Sequence, residues 1–136
     1  MKWATRAGIH IDRAASAWLI VRFVDPAAEF VYVEDLDEVP ADATAFDMVG
    51  GELTHEGGDV TFETILRRYE LTDPVLWRIG EIVHEADVRD GRFDAPEAPG
   101  FDVLIRALGL EHSDEEVRLM TAELLDGLCA WFRKTL

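Results

Sequence analysis

The sequence predicts an α+β fold, helix-dominated, in a single domain over residues 1–136 with a small sheet near the N-terminus. Three observations predict it. A strand–helix–strand pattern fills the first 33 residues. Apolar residues then recur at helical spacing through most of the chain beyond residue 60. A length of 136 residues with 49% hydrophobic content suits one core and argues against both disorder and a second domain.

Residues 2–5 (KWAT) read as a short strand. Residues 12–24 (DRAASAWLIVRFV) read as a helix, with Asp12 at its start as a cap and Pro26 stopping it just after Asp25. That helix is apolar nearly all round, so it is expected to be buried. Residues 29–33 (EFVYV) read as a second strand, and the unit so formed predicts parallel pairing. Residues 44–48 (TAFDM) are a third strand.

Residues 49–60 form a glycine-rich connection, with glycines at 50, 51, 57 and 58 on either side of Glu52 and His55. Phe62, Ile65, Leu66 and Tyr69 then mark a helical face after a Thr61 cap. Asp73-Pro74 starts another helix, running to about Val88 with Val75, Ile79, Ile82, Val83 and Ala86 inward. Residues 91–100 are a proline–glycine loop, long enough to act as a wall or lid. A helix over 101–109 ends at Gly109. Ser113 with Glu116 forms a capping box for the last helix, whose expected core face is Val117, Met120, Leu124, Leu128 and Trp131.

Charge and cysteine usage bound the function. Thirteen basic and 28 acidic side chains give a net charge of −15, which repels phosphate backbones, so no direct nucleic-acid partner is expected. No stretch approaches the ~20 apolar residues of a membrane span. Cys129 is the sole cysteine, so no intrachain disulfide or thiolate-rich zinc site can form, and a reducing, cytoplasmic location is expected. The oligomeric state, homo-oligomer included, stays open.

Two pairs carry chemistry. His84 and Asp87 are three apart on a predicted helix, and Gly80 on the same stripe offers room beside them. Alone, that pair reads more readily as a histidine favoured by a helix C-terminus and paired to Asp87 than as a metal or catalytic group. Glu52 and His55 form an E-x-x-H pair in the glycine-flanked turn. Together, Glu52, His55, His84 and Asp87 make a complete shell for a divalent metal such as Fe, Mn, Zn or Ni. Asp47 and Asp90 are substitute or supporting ligands. Arg13, in the first turn of the first helix, and Arg6 are the groups expected to hold a small anionic ligand. Asp90 or Glu56 would move protons. Arg22 reads as half of a structural ion pair. His10 and His112 have no evident partners in the sequence.

The stretches WATR (3–6), IDRAASAWLIVRFVDPAAEFVYV (11–33), FDM (46–48), ELTHEGGDVTFETIL (52–66) and IGEIVHEADVRDGRFDAPEAPG (79–100) resemble the chromate-resistance protein family. The likeness is to the C-terminal domain of its chromate-sensing regulator and to free-standing proteins made of that domain. It covers most of the chain in order, and its motif falls on Asp12, Arg13, Trp18, Arg22, Asp25, Glu52, His55, His84 and Asp87. It implies a link to chromate or oxidative stress and an anion- or metal-responsive site. Some members carry cysteine and proline where this chain has Ser16 and Ala17, and cysteine at Val60, so thiol chemistry is not implied here. The expected function is a metal-dependent enzyme on a small anion, of lyase, hydrolase or isomerase class. The alternatives are a non-catalytic chromate- or metal-sensing module and a purely structural protein.

Overall fold

A computed structural model describes all 136 residues. Its order is β1 (Lys2–Arg6), α1 (Ile11–Phe23), β2 (Glu29–Val33), a 3-10 turn (Leu36–Glu38), β3 (Ala43–Ala45), α2 (Thr61–Arg68), α3 (Pro74–Asp87), α4 (Ala98–Glu111) and α5 (Asp114–Thr135). The predicted α+β architecture is the observed one. The three strands form one parallel sheet in the order β2-β1-β3. Lys2 pairs with Glu29 on one side and with Ala43 on the other, and Ala4 with Val31 and Ala45.

α1 is the centre of the molecule. Every residue from Ile11 to Ile20 is buried, as its all-round apolar sequence requires. It packs against α2, α3 and α5. Trp18 lies parallel to Phe62 of α2, with ring centroids 6.5 Å apart. Arg22 emerges at the exposed end and pairs with Asp126 of α5 at 2.6 Å, the structural ion pair expected of it.

Several boundaries differ from the sequence reading. β3 stops at Ala45 because Asp47 takes a left-handed conformation (φ 50°) that turns the chain out of the sheet. Asp12 does not cap its own helix; the cap position is His10, which makes no side-chain cap bond. Its carboxylate instead accepts the Thr61 and Phe62 N–H groups at 3.1 and 3.0 Å, satisfying the first turn of α2. Thr61 is therefore inside α2, and Tyr69 at its end is exposed. α4 begins at Ala98, with Pro99 in its first turn, so the irregular loop is shorter than expected.

The face of α5 is rotated from the expected one. Val117, Thr121, Leu125, Cys129 and Phe132 are buried, whereas Leu124 and Trp131 are 48% and 60% exposed. Side-chain anchors hold this register: Asp126 bonds Trp18 and Arg22, and Arg133 bonds Asp73 at the cap of α3. The capping box of Ser113 and Glu116 forms as read. Gly80 also has a different reason from the expected one. A Cβ there would sit 3.4 Å from Leu66 and Phe62, so the glycine lets α2 and α3 approach closely rather than opening space beside His84.

Candidate metal centre

Four segments meet above the carboxyl end of the sheet. The start of α1 brings Asp12 and Arg13. The chain leaving β3 brings Asp47, the glycine-rich connection brings His55, and the last turn of α3 brings Asp87. The connection is folded back on β3: Asp47 N–H donates to Leu53 O at 2.7 Å and Leu53 N–H to Ala45 O at 3.2 Å. Gly51 makes that fold possible, since a Cβ would lie 3.1 Å from Ala45 and Met48 atoms. Thr64 Oγ1 donates to Thr54 O at 2.6 Å and fixes the stretch beside His55.

His55 Nε2 lies 3.1 Å from Asp12 Oδ2, 3.2 Å from Asp87 Oδ2 and 3.9 Å from Asp47 Oδ1. Ligands about 2.0–2.2 Å from one tetrahedral or octahedral cation stand roughly 3.0–3.4 Å apart, so the first two separations match a shared ion. The ligand atoms of Asp12, His55 and Asp87 all fall within 4.8 Å of one another. Asp47 adjoins them. Its Oδ1 accepts from Thr61 Oγ1 at 2.8 Å. Its Oδ2 faces Arg13 Nε at 3.2 Å and His10 Nε2 at 3.7 Å, yet neither Oδ2 nor Arg13 Nε has a hydrogen-bond partner. His10 Nδ1, 3.9 Å from Asp87 Oδ1, is likewise buried and unpartnered. Buried polar atoms are rarely left so, and here they line the same cluster.

The electrostatics are those of too many carboxylates for the cations present. Burial, then the Asp12 charge, pushes Asp47 up to about 7, against the pull of Arg13. Burial also raises Asp87. The Asp12 contact above all lifts His55 to about 9, while burial lowers His10. Arg13 is spent inside this frame: its guanidinium donates to Gly8 O and Asp47 O, both at 2.9 Å. It positions Asp47 and also borders the cavity that Arg6 lines. Arg6 is different. It is exposed, makes no ion pair, and lines a cavity of about 530 Å³ that His55, Asp47, Thr54, Met48 and Leu36 also border.

The expected shell of Glu52, His55, His84 and Asp87 does not close around one point. His55 and Asp87 converge. Glu52 is exposed and makes no hydrogen bond or ion pair. His84 is wholly buried and points the other way from α3: Nδ1 is 2.6 Å from Glu63 Oε1, and Nε2 is 2.9 and 3.0 Å from the two oxygens of Asp90. Asp90 is therefore beside His84 rather than beside Arg13, and Glu56 pairs with Arg68. Trp77 borders neither cluster; its Nε1 donates to Leu71 O. Read from residue pattern alone, Asp12 was a helix cap and His10 had no partner; the structure brings both to the site. The available signal was a carboxylate and an arginine together at the head of an apolar helix.

The chain is thus an α+β domain carrying an open cluster of three carboxylates and two imidazoles beside a cavity bordered by Arg6, Arg13, Glu34 and Asp35. The chain belongs to the family of the ChrB C-terminal domain, whose family model matches residues 3–132, and so stands among the chromate-resistance proteins. It is 43% identical over 105 residues to "Protein ChrB" of Cupriavidus metallidurans, covering 76% of this chain and 32% of that relative. The chain thus spans about a third of the curated relative's length. No solved structure matches it. No helix is long and apolar enough to cross a membrane.

Proposed function

We propose that the chain binds one divalent metal ion, from the series Fe, Mn, Zn and Ni, on Asp12, His55 and Asp87, and takes a small oxyanion in the adjoining cavity. Asp47 is the third carboxylate of the cluster and His10 stands next to it. The observation that carries this reading is the placement of His55 Nε2 at 3.1 and 3.2 Å from two carboxylate oxygens on different elements. Once His55 gives up its proton to ligate, three carboxylates and one guanidinium leave two negative charges, which one divalent cation cancels. Without that cancellation an anion would be repelled; with it, Arg6, Arg13 and the metal are the positive groups at a cavity that Glu34 and Asp35 also border. Family membership supports chromate or a related oxyanion as the ligand class. Oxygen and imidazole donors, with no thiolate, fit the borderline metals named.

Acting on the ligand, the metal would polarise an oxygen or lower the pKa of a bound water, and Asp47 is the carboxylate adjoining that position. A non-catalytic sensing module is favoured by one observation: the matched region is a third of a longer relative, as expected of one module in a multi-part protein. Metal analysis of the purified chain tests the common premise. One equivalent fewer in His55→Ala than in the wild type supports it; equal metal content in the two proteins defeats it. Turnover of an oxyanion by the loaded protein then separates enzyme from sensor.

A further inference from the structure

We propose a second cation site on the other side of α3, built from His84 Nε2, Asp90 and Glu85, able to take a divalent ion such as zinc or cobalt. It shares no residue with the first site and does not rest on that reading.

The His84 ring has two nitrogens, and each faces a carboxylate. His84 Nδ1 stands 2.6 Å from Glu63 Oε1, and that same oxygen accepts the Val60 N–H at 2.9 Å. A buried carboxylate oxygen holding two such contacts is an acceptor, so Nδ1 must carry its hydrogen. Nε2 is then left facing both oxygens of Asp90, at 2.9 and 3.0 Å. A bare ring nitrogen against a carboxylate sets acceptor against acceptor. The contact is favourable only with a positive charge at Nε2, either a proton or a metal ion.

Three further features favour the metal. A carboxylate on the distal nitrogen is the usual second partner of a metal-bound histidine, fixing its tautomer and ring plane. Glu63 is 1% exposed and His84 wholly buried, so this orientation is locked before any ion arrives, and Phe93 packs edge-on against the ring at 5.1 Å. The third ligand is in place as well. Glu85 Oε2 lies 3.9 Å from Nε2, and the ligand atoms of His84, Glu85 and Asp90 fall within 4.8 Å of one another. Both carboxylates are anchored by the loop they face: Gly91 and Phe93 N–H groups donate to Glu85, and Arg92 N–H to Asp90. Asp90 is 45% exposed, which leaves the solvent side open for entry and for a water ligand. A divalent ion here would tie the loop after α3 to the helix and to α2 through Glu63.

The test counts cobalt(II) bound per chain by equilibrium dialysis in the wild type, His55→Ala, Asp90→Ala and the double variant. His55 and Asp90 are both exposed, so neither change threatens the core. Both sites present gives two equivalents, one, one and none. One equivalent lost only in Asp90→Ala supports this site and defeats the first; one lost only in His55→Ala, or no cobalt bound at all, overturns this site. An Asp90→Ala protein that keeps every equivalent of the wild type overturns it too, since the charge at Nε2 is then a proton alone. Adding zinc to the His55→Ala protein should shift the ¹⁵N resonance of His84 Nε2 and leave that of Nδ1 protonated; an unchanged Nε2 contradicts coordination there.

Discussion

Asp12 does two jobs with one carboxylate. It is wholly buried, satisfies two backbone N–H groups of α2, and touches His55. Asp12→Ala strands both donors and should lower stability by about 3 kcal/mol in urea denaturation. Asp87 is the contrasting case. It is half-buried, accepts no backbone bond, and burial raises its pKa, so its charge is a liability to the metal-free fold. Asp87→Asn should therefore keep or raise metal-free stability at pH 8 while abolishing metal binding at the first site. The pH dependence of the metal-free protein follows from His55. Its folded pKa of about 9 lies above the unfolded value near 6.5, so its contribution is complete below about pH 6.5 and is lost as pH rises through 9. Asp47, raised to about 7, adds a fall at lower pH, between roughly 4 and 7. His10, lowered by burial, acts oppositely but only below about 6.5. Thermal melts between pH 7 and 9 should thus decline, and His55→Gln should flatten that stretch; an equal slope in both proteins would refute the assignment.

The elements were legible where their signals are local. Asp73-Pro74 and Ser113-x-x-Glu116 name helix starts because the capping groups lie within one turn of each other. The all-round apolar run of α1 names a buried helix for the same reason. The rotated face of α5 was not legible. Met120, Leu124, Leu128 and Trp131 form a second apolar stripe, and periodicity alone cannot tell which stripe meets the core when tertiary anchors such as Asp126 decide it. Trp18→Ala should accordingly cost about 3–5 kcal/mol, and Trp131→Ala less than about 1 kcal/mol. Between α2 and α3 the glycine at 80 sets the spacing. Gly80→Val should cost about 1–3 kcal/mol by overpacking against Phe62 and Leu66.

At the scale of the molecule, the site is a product of topology. Asp12, Asp47, His55 and Asp87 come from four segments that the parallel sheet and the central helix bring to one edge. The sequence displayed His55 and Asp87 as members of pairs, E-x-x-H and H-x-x-D, and each pair looked like a unit. The fold splits both: Glu52 and His84 turn away, and the partners of His55 are carboxylates from distant strands and helices. A pairing across 43 residues, such as Asp12 with His55, leaves no local trace. The family likeness did point to Asp12, without saying what it does. The same topology lets an ion binding at this junction tie β3, α1 and α3 together. At a hundredfold excess over its dissociation constant, such an ion adds about 2.7 kcal/mol to stability. For a domain of this size that raises Tm by roughly 10 °C, a shift that His55→Ala should remove.

The central claim is that Asp12, His55 and Asp87 share one cation, and anomalous diffraction from crystals grown with manganese or zinc addresses it most directly. An anomalous peak is expected about 2.0–2.2 Å from His55 Nε2 and from one oxygen each of Asp12 and Asp87. Crystals of metal-saturated protein with His55, Asp12 and Asp87 well ordered and no peak between them would contradict it.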